Sequence, residues 1–162
     1  MAISIGEKLP EATFTIMGEE GPKPVTTAEF FGNRKIALFA VPGAYTPTCS
    51  KQHMPGFVAN SAELKGKGLD AIACTAVNDI FVLTNWAKDT GAEGTITMLA
   101  DGSADFAKKI GLEIDLMARG LGIRSKRYSM IGDKGVVTVL NVEEAPPQHD
   151  KSSAVTLLSC KF

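Results

Sequence analysis

The stretch Lys35-Ile36-Ala37-Leu38-Phe39-Ala40-Val41-Pro42-Gly43-Ala44-Tyr45-Thr46-Pro47-Thr48-Cys49-Ser50 decides how this chain is read. Lys35–Val41 is an unbroken apolar run after its first residue, the pattern of a strand buried on both faces, and Pro42-Gly43 stops it. Beyond it, Met54, Phe57, Val58 and Leu64 recur near the helical period, which predicts a helix from about Pro47 to Lys65. Pro55 lies inside that pattern and should kink the helix, because proline removes one backbone donor. Cys49 therefore falls in the first turn of a helix that follows a buried strand.

Working outward, the pattern predicts a strand at Asp70–Val77, a helix over Asp79–Thr90 capped by Asn78 or Asp79, and a strand at Thr97–Ala100. Asp101-Gly102-Ser103 turns into a further helix ending near Gly111. Arg127–Ile131 and Val136–Val142, joined by Gly132-Asp133-Lys134-Gly135, read as an antiparallel hairpin, and Ser152–Leu158 as a closing helix. Gly21-Pro22-Lys23-Pro24 and Ala145-Pro146-Pro147 read as loops. Alternating β-α-β units followed by a hairpin imply a mixed central sheet with helices on both faces. The expected class is α/β, and the thioredoxin-like fold is one such answer.

Composition bounds the possibilities further. The length of 162 residues, with 44% hydrophobic and 22% charged residues, predicts a single domain over 1–162 with its own core. Seventeen Lys plus Arg against eighteen Asp plus Glu, without a run of either sign, point away from nucleic acid and membrane partners and toward a small, weakly charged substrate. The first residues lack a basic patch followed by an apolar stretch, and no run approaches the roughly 20 apolar residues of a membrane span, so a cytoplasmic location is expected. Three cysteines, Cys49, Cys74 and Cys160, are an odd number without close pairing, which argues against a secreted disulfide framework.

In a helix's first turn, unbonded backbone N–H groups and the macrodipole favour a thiolate over a thiol, which makes Cys49 a candidate nucleophile. Thr46, three residues earlier, is close enough for its hydroxyl to reach the sulfur, and Arg127 is the best candidate for a nearby cation. Pro42 and Pro47 stiffen the turn and restrict water. A thiolate flanked by a hydroxyl, a guanidinium and a backbone N–H suits the O–O bond of a peroxide, where one oxygen is attacked and charge develops on the other. Neither a metal nor an organic cofactor is needed.

The ordinary readings stand beside these. Cys74 lies in the apolar run Ala71–Val77 and reads first as a core thiol, with a resolving role as the alternative; Cys160 reads as an incidental free thiol on a mobile tail. Arg127 alone would be a routine ion-pairing residue, and His53 a partly exposed helix residue. Cys49 and His53 stand at i and i+4, but no second Cys or His pair completes a zinc site. Cys-x-x-Cys, a Walker A loop and a dinucleotide fingerprint are all absent.

Pro-Gly-Ala-Tyr-Thr-Pro-Thr-Cys-Ser at 42–50 resembles the type II peroxiredoxins, the peroxiredoxin-five subfamily. His53–Phe57, Val77-Asn78-Asp79, Leu99–Ser103 and Gly122–Met130 are similar to family segments, so the resemblance covers nearly the whole chain. It implies a thioredoxin-like fold and a thiol-dependent peroxidase in which Cys49 is oxidised to a sulfenic acid, with Pro42, Thr46 and Arg127 at the matching active-site positions. It also implies recycling by glutathione with glutaredoxin, or by thioredoxin, and a homodimer. The sequence departs from the family at Tyr45, where phenylalanine is common, at Ile80, and at Cys160, which bears on whether Cys74, Cys160 or an external thiol resolves the oxidised Cys49. A redox-responsive binding or relay protein is the alternative from another class.

Overall fold

A computed structural model describes residues 1–162. The chain opens with a hairpin, β1 (Thr13–Gly18) and β2 (Gly21–Thr26), followed by the short helix α1 (Thr27–Phe31). Thr26 and Glu29 start α1 with a reciprocal capping box, each side chain accepting from the other's backbone N–H. The Gly-Pro-Lys-Pro segment, expected as a loop, is thus the core of β2. Pro22 and Pro24 lie two residues apart, so their missing donors fall on the same side of a strand that pairs only with β1 at the sheet edge.

The buried run forms β3 (Lys35–Ala40), with β4 (Ala71–Ala76) and β5 (Thr97–Ala100) parallel to it in sequence. The small antiparallel pair β6 (Glu113–Leu116) and β7 (Gly122–Ser125) stands apart from the main sheet, and no sequence pattern announced it. The predicted hairpin is present as β8 (Tyr128–Asp133) and β9 (Val136–Val142). The main sheet has seven strands in the order β2-β1-β5-β4-β3-β8-β9, a mixed arrangement of the thioredoxin-like kind.

Alternation along β3 explains why its sequence carries no polar face. Ala37 and Phe39, with Val41 beyond the strand end, belong to one apolar cluster; Ile36, Leu38 and Ala40 belong to the other. Helices α2 (Met54–Ala59), α3 (Ser61–Gly66), α4 (Ile80–Asp89) and α6 (Ala154–Leu158) supply the first cluster through Phe57, Leu64, Leu83 and Leu157. The second is closed by Phe30 and Phe31 of α1 and Phe106 of α5 (Asp105–Lys109). Helix α4 begins as expected, with Asp79 Oδ1 accepting from Val82 N at 2.9 Å.

The expected single helix over 47–65 divides into three pieces. Cys49–His53 is a π-helical turn closed by Met54 N–H to Cys49 O, followed by α2 and α3. Pro55 is the physical reason: it has no N–H for an i→i−4 bond to Lys51, and one wide turn just before it takes up the mismatch. Breaking the ladder here, beside Cys49, sets the direction of every side chain in the turn.

Candidate active site

Cys49 is fully buried at the start of the π turn. The loop that delivers it leaves β3 through Pro42-Gly43 and bends at Tyr45, whose φ of 64° lies in the left-handed region. Ala44 N–H donates to Asn78 Oδ1 at 2.9 Å, and the Tyr45 hydroxyl donates to Asp89 Oδ2 at 2.7 Å, tying the bend to the two ends of α4. Gly43 leaves room for a guanidinium: a Cβ there would stand 2.6 Å from Arg124 Nη1 and displace it. Arg124 uses that space to donate to Pro42 O at 3.2 Å and to Leu121 O at 2.6 Å, fastening the loop to the β6–β7 flap.

Two donors converge on the sulfur. Thr46 Oγ1 lies 2.8 Å from Cys49 Sγ and 2.7 Å from Gly43 O; its single proton serves one of them at a time. Arg127 Nη2 donates to the sulfur at 3.0 Å. The Cys49 backbone N–H is left without a backbone partner at the helix start. The structure thus brings Thr46 and Arg127 onto the Cys49 sulfur, and Pro42 lines the same cavity as these two.

Arg127 precedes β8 and is itself buried. Its Nε donates to Pro146 O at 3.0 Å and its Nη1 to His53 Nδ1 at 3.0 Å. A buried guanidinium is costly unless compensated. Its hydrogen-bonded partners are a carbonyl, an imidazole and the Cys49 sulfur, and the buried Glu143 donates its backbone N–H to Arg127 O at 3.0 Å.

His53, expected as a partly exposed residue, is fully buried. Its Nε2 is 2.9 Å from Ser152 O, and because a carbonyl only accepts, the proton sits on Nε2 and Nδ1 is free to accept from Arg127. Burial, reinforced by the Arg127 charge and by His149, holds the ring well below the usual histidine range, so it is neutral. Phe39 and Phe57 pack against it at centroid distances of 5.0 and 5.5 Å, and His149 stands edge-on at 4.9 Å.

The carbonyls that orient Arg127 and His53 both come from one loop. Glu143, buried just after β9, accepts from Ser152 N at 2.7 Å and Ser152 Oγ at 2.9 Å, closing the segment between them like a clasp. His53 had one available signal, its i+4 spacing from Cys49. Glu143 and Ser152 had none, because their pairing is a loop closure.

The other cysteines differ. Cys74 is fully buried in β4, its thiol makes a single long hydrogen bond to Thr75 O at 3.9 Å, and burial pushes it well up. Cys160 lies just past α6, where Lys67 Nζ donates to its carbonyl at 2.8 Å and to Leu158 O, and its Sγ lies 3.5 Å from Thr156 O. No group of three His, Cys, Asp or Glu side chains is placed to hold a metal ion.

A cavity of about 280 Å³ opens beside the cysteine, with Pro42, Thr46, Arg127, Leu116, Leu121 and Arg119 in its walls. A larger cleft of about 580 Å³ between α4 and β5 includes none of the residues around Cys49.

The chain matches the Redoxin family over residues 4–158. It is 48% identical to chloroplastic Peroxiredoxin-2E of Arabidopsis thaliana over 147 residues, covering 88% of this chain and 63% of that protein. It therefore spans less than two thirds of that relative's length. With Peroxiredoxin-2C of Oryza sativa it shares 43% identity, covering 88% of each. In structure it superposes on reduced Prx3 of Vibrio vulnificus in complex with hydrogen peroxide with a TM-score of 0.92, at 48% identity and 97% and 98% coverage. Peroxiredoxin 5 of Alvinella pompejana gives 0.83 at 29% identity, with 96% of each chain covered. The chain belongs to the Redoxin family, and within it to the type II peroxiredoxins. No helix is long and apolar enough to cross a membrane.

Proposed function

We propose that this chain, as one domain over 1–162, reduces hydrogen peroxide and small organic hydroperoxides through Cys49. The observation that carries this reading is the pair of donors on one sulfur, Thr46 Oγ1 at 2.8 Å and Arg127 Nη2 at 3.0 Å. The Cys49 sulfur attacks the terminal oxygen of the peroxide: an S–O bond forms, the O–O bond breaks, sulfur is oxidised by two electrons, and the departing oxygen leaves as alkoxide or hydroxide and takes up a proton. Thr46 and Arg127, already aimed at the sulfur, are placed to donate to the oxygens as charge moves onto the leaving one. Pro42 walls the cavity and, with its carbonyl fixed by Arg124, presents no competing acceptor to the reacting atoms. The Vibrio relative held with hydrogen peroxide supports the same substrate class here.

The sulfenic acid is returned to the thiol by an external reductant, glutathione with glutaredoxin ahead of thioredoxin. Cys74 is sealed in a strand and Cys160 is fastened beside α6, so neither is poised for a fast internal disulfide. Large apolar side chains left exposed, Tyr45, Phe81 and Met117, support a homodimer, and the unpaired thiols fit a reducing cytoplasm. The test is a single turnover without reductant: one equivalent of hydroperoxide should be consumed per chain, leaving a sulfenic acid on Cys49 detectable by trapping and mass spectrometry. Unreacted peroxide, or an adduct on another residue, refutes the reading.

A further inference from the structure

The cavity beside Cys49 is larger than the proposed chemistry on hydrogen peroxide requires. At about 280 Å³ it is far roomier than a molecule the size of water, whose share of liquid volume is roughly 30 Å³. Most of its wall offers no side-chain hydrogen bond: Pro42, Pro47, Pro146 and Pro147 face Leu116 and Leu121. No carboxylate lines it, and its two charged side chains are both arginines. Arg127 is buried at the sulfur, with all three of its nitrogens engaged. Arg119 is exposed and has neither an ion pair nor a hydrogen bond through its guanidinium. Arg124, five residues on, shows the contrast, because it is spent on Pro42 O and Leu121 O.

The backbone that carries Arg119 is set by a tight turn. Arg119 ends the single 3-10 turn Met117–Arg119, which Gly120 closes in the left-handed conformation at φ 70°, between the paired strands β6 and β7. A planar, permanently charged fork at the rim of an apolar cavity free of acidic groups matches a carboxylate. Resting on the peroxidase reading, we propose that Arg119 is a carboxylate-binding subsite, so that the organic co-substrate this cavity prefers carries a carboxylate. This sharpens the expectation of a weakly charged substrate.

Two co-substrates share that chemistry. One is a carboxylate-bearing alkyl hydroperoxide, whose acid end sits at Arg119 while its terminal peroxide oxygen bonds to Cys49 Sγ, the O–O bond breaks and the organic part leaves as an alcohol. The other is glutathione, whose thiolate attacks the sulfenic sulfur: an S–S bond forms, the S–O bond breaks, and the oxygen leaves as water after protonation.

The test compares charged and neutral members of each pair. Wild type, Arg119→Gln and Arg119→Glu are mixed in stopped flow with a short-chain hydroperoxyalkanoate or its methyl ester. The pre-oxidised proteins are mixed with glutathione or its diethyl ester. Trp86, the sole tryptophan, reports because its Nε1–H donates to Ser50 Oγ at 3.0 Å, next to Cys49. In wild type at low salt, the acid-to-ester rate ratio should exceed that of Arg119→Gln by about two- to fivefold, the range for an exposed charge pair, and Arg119→Glu should lie lower still. The excess should vanish near 1 M salt, where the screening length is about 3 Å. An effect in the hydroperoxide arm or in the thiol arm supports the subsite and names its ligand. Equal ratios in all three proteins in both arms overturn the subsite while leaving the peroxidase reading intact. A wild type inert to every peroxide overturns that reading, and the subsite with it.

Discussion

Cys49 and Cys74 are both fully buried and belong to the same apolar cluster, yet their sulfurs meet different surroundings. Cys74 sits mid-strand, level with Phe39 on one side and Met98 on the other, where the backbone groups serve the sheet ladder. Cys49 sits where a strand has ended and a helix has barely begun, with a hydroxyl and a guanidinium turned onto its sulfur. Burial alone leaves a thiol inert and pushes it up, as at Cys74. What separates the two is donor supply, which the chain provides at element ends and withholds inside a sheet.

The largest expected effect follows from that contrast. Cys49→Ser should reduce peroxide consumption to background, whereas Cys74→Ser should keep the wild-type rate and instead lower stability by about 1–3 kcal/mol, the cost of a hydroxyl in a site with poor hydrogen-bonding partners. Peroxide assays and urea denaturation on the two variants separate rate from stability; a rate loss in Cys74→Ser with an intact fold breaks the comparison. Next comes Arg127→Ala. Removing one preorganised donor of this kind typically costs about 10²–10³ in rate. A variant within threefold of wild type in its second-order rate with hydrogen peroxide would take Arg127 out of the chemistry.

The contrast also marks what the sequence discloses. Cys49, Thr46 and Pro42 lie within one turn, so local spacing was enough to group them, and the parallel strands announced themselves as apolar runs. Arg127 was placed by type and family resemblance. The π turn was hidden because Pro55 reads as a kink whichever way the ladder resolves it. Strand β2 was hidden because two prolines look like a loop until the strand is known to lie at an edge. Glu143 and Ser152 stayed silent for a deeper reason: their bond closes a loop whose carbonyls act on Arg127 and His53, two steps from the sulfur.

Glu143 gives the next smaller effect. Glu143→Ala should slow the reaction with peroxide about tenfold, by loosening the carbonyls of Pro146 and Ser152 that hold Arg127 and His53. Glu143→Gln should restore most of the rate, since one side-chain oxygen receives both Ser152 bonds. Alkylation of Cys49 by iodoacetamide, which needs no donor on a leaving oxygen, should be less affected. Equal losses in both reactions would make the clasp merely structural.

Smaller again is a pH effect on stability, carried by His53. Its folded pKa is depressed, so its neutral form stabilises the protein above the unfolded value of about 6.5, and that contribution is lost as pH falls toward the folded value. The slope for one such group is at most about 1.4 kcal/mol per pH unit. His149 is lowered as well, mainly by desolvation, and adds in the same direction, but its partial exposure weakens it. Urea midpoints measured from about pH 7.5 to about pH 5.5 should therefore fall with pH. His53→Gln keeps an acceptor for Arg127 and a donor for Ser152 O, and should flatten the curve. An unchanged slope in that variant assigns the titration elsewhere.

The smallest effect is expected at the third cysteine. Cys160 is partly buried beside the end of α6, with its carbonyl held by Lys67 and its sulfur 3.5 Å from Thr156 O and 3.8 Å from Asn141 Nδ2. Lys67 also stands 4.3 Å above the Phe162 ring, which fastens the residues on both sides of it. To reach Cys49, the segment would have to release these contacts, and Cys49 would have to leave a fully buried position, because a disulfide needs Cα atoms within about 7 Å. Both steps cost free energy before any bond forms, while a diffusing thiol needs only the second. Cys160→Ser should accordingly leave glutathione-supported turnover within about twofold of wild type, the scale of an ordinary surface substitution. Mass spectrometry after one equivalent of peroxide should show the same oxygen adduct on Cys49 in both proteins. A rapid loss of two hydrogens in wild type that disappears in Cys160→Ser would instead show that the fastened segment opens faster than an external thiol arrives.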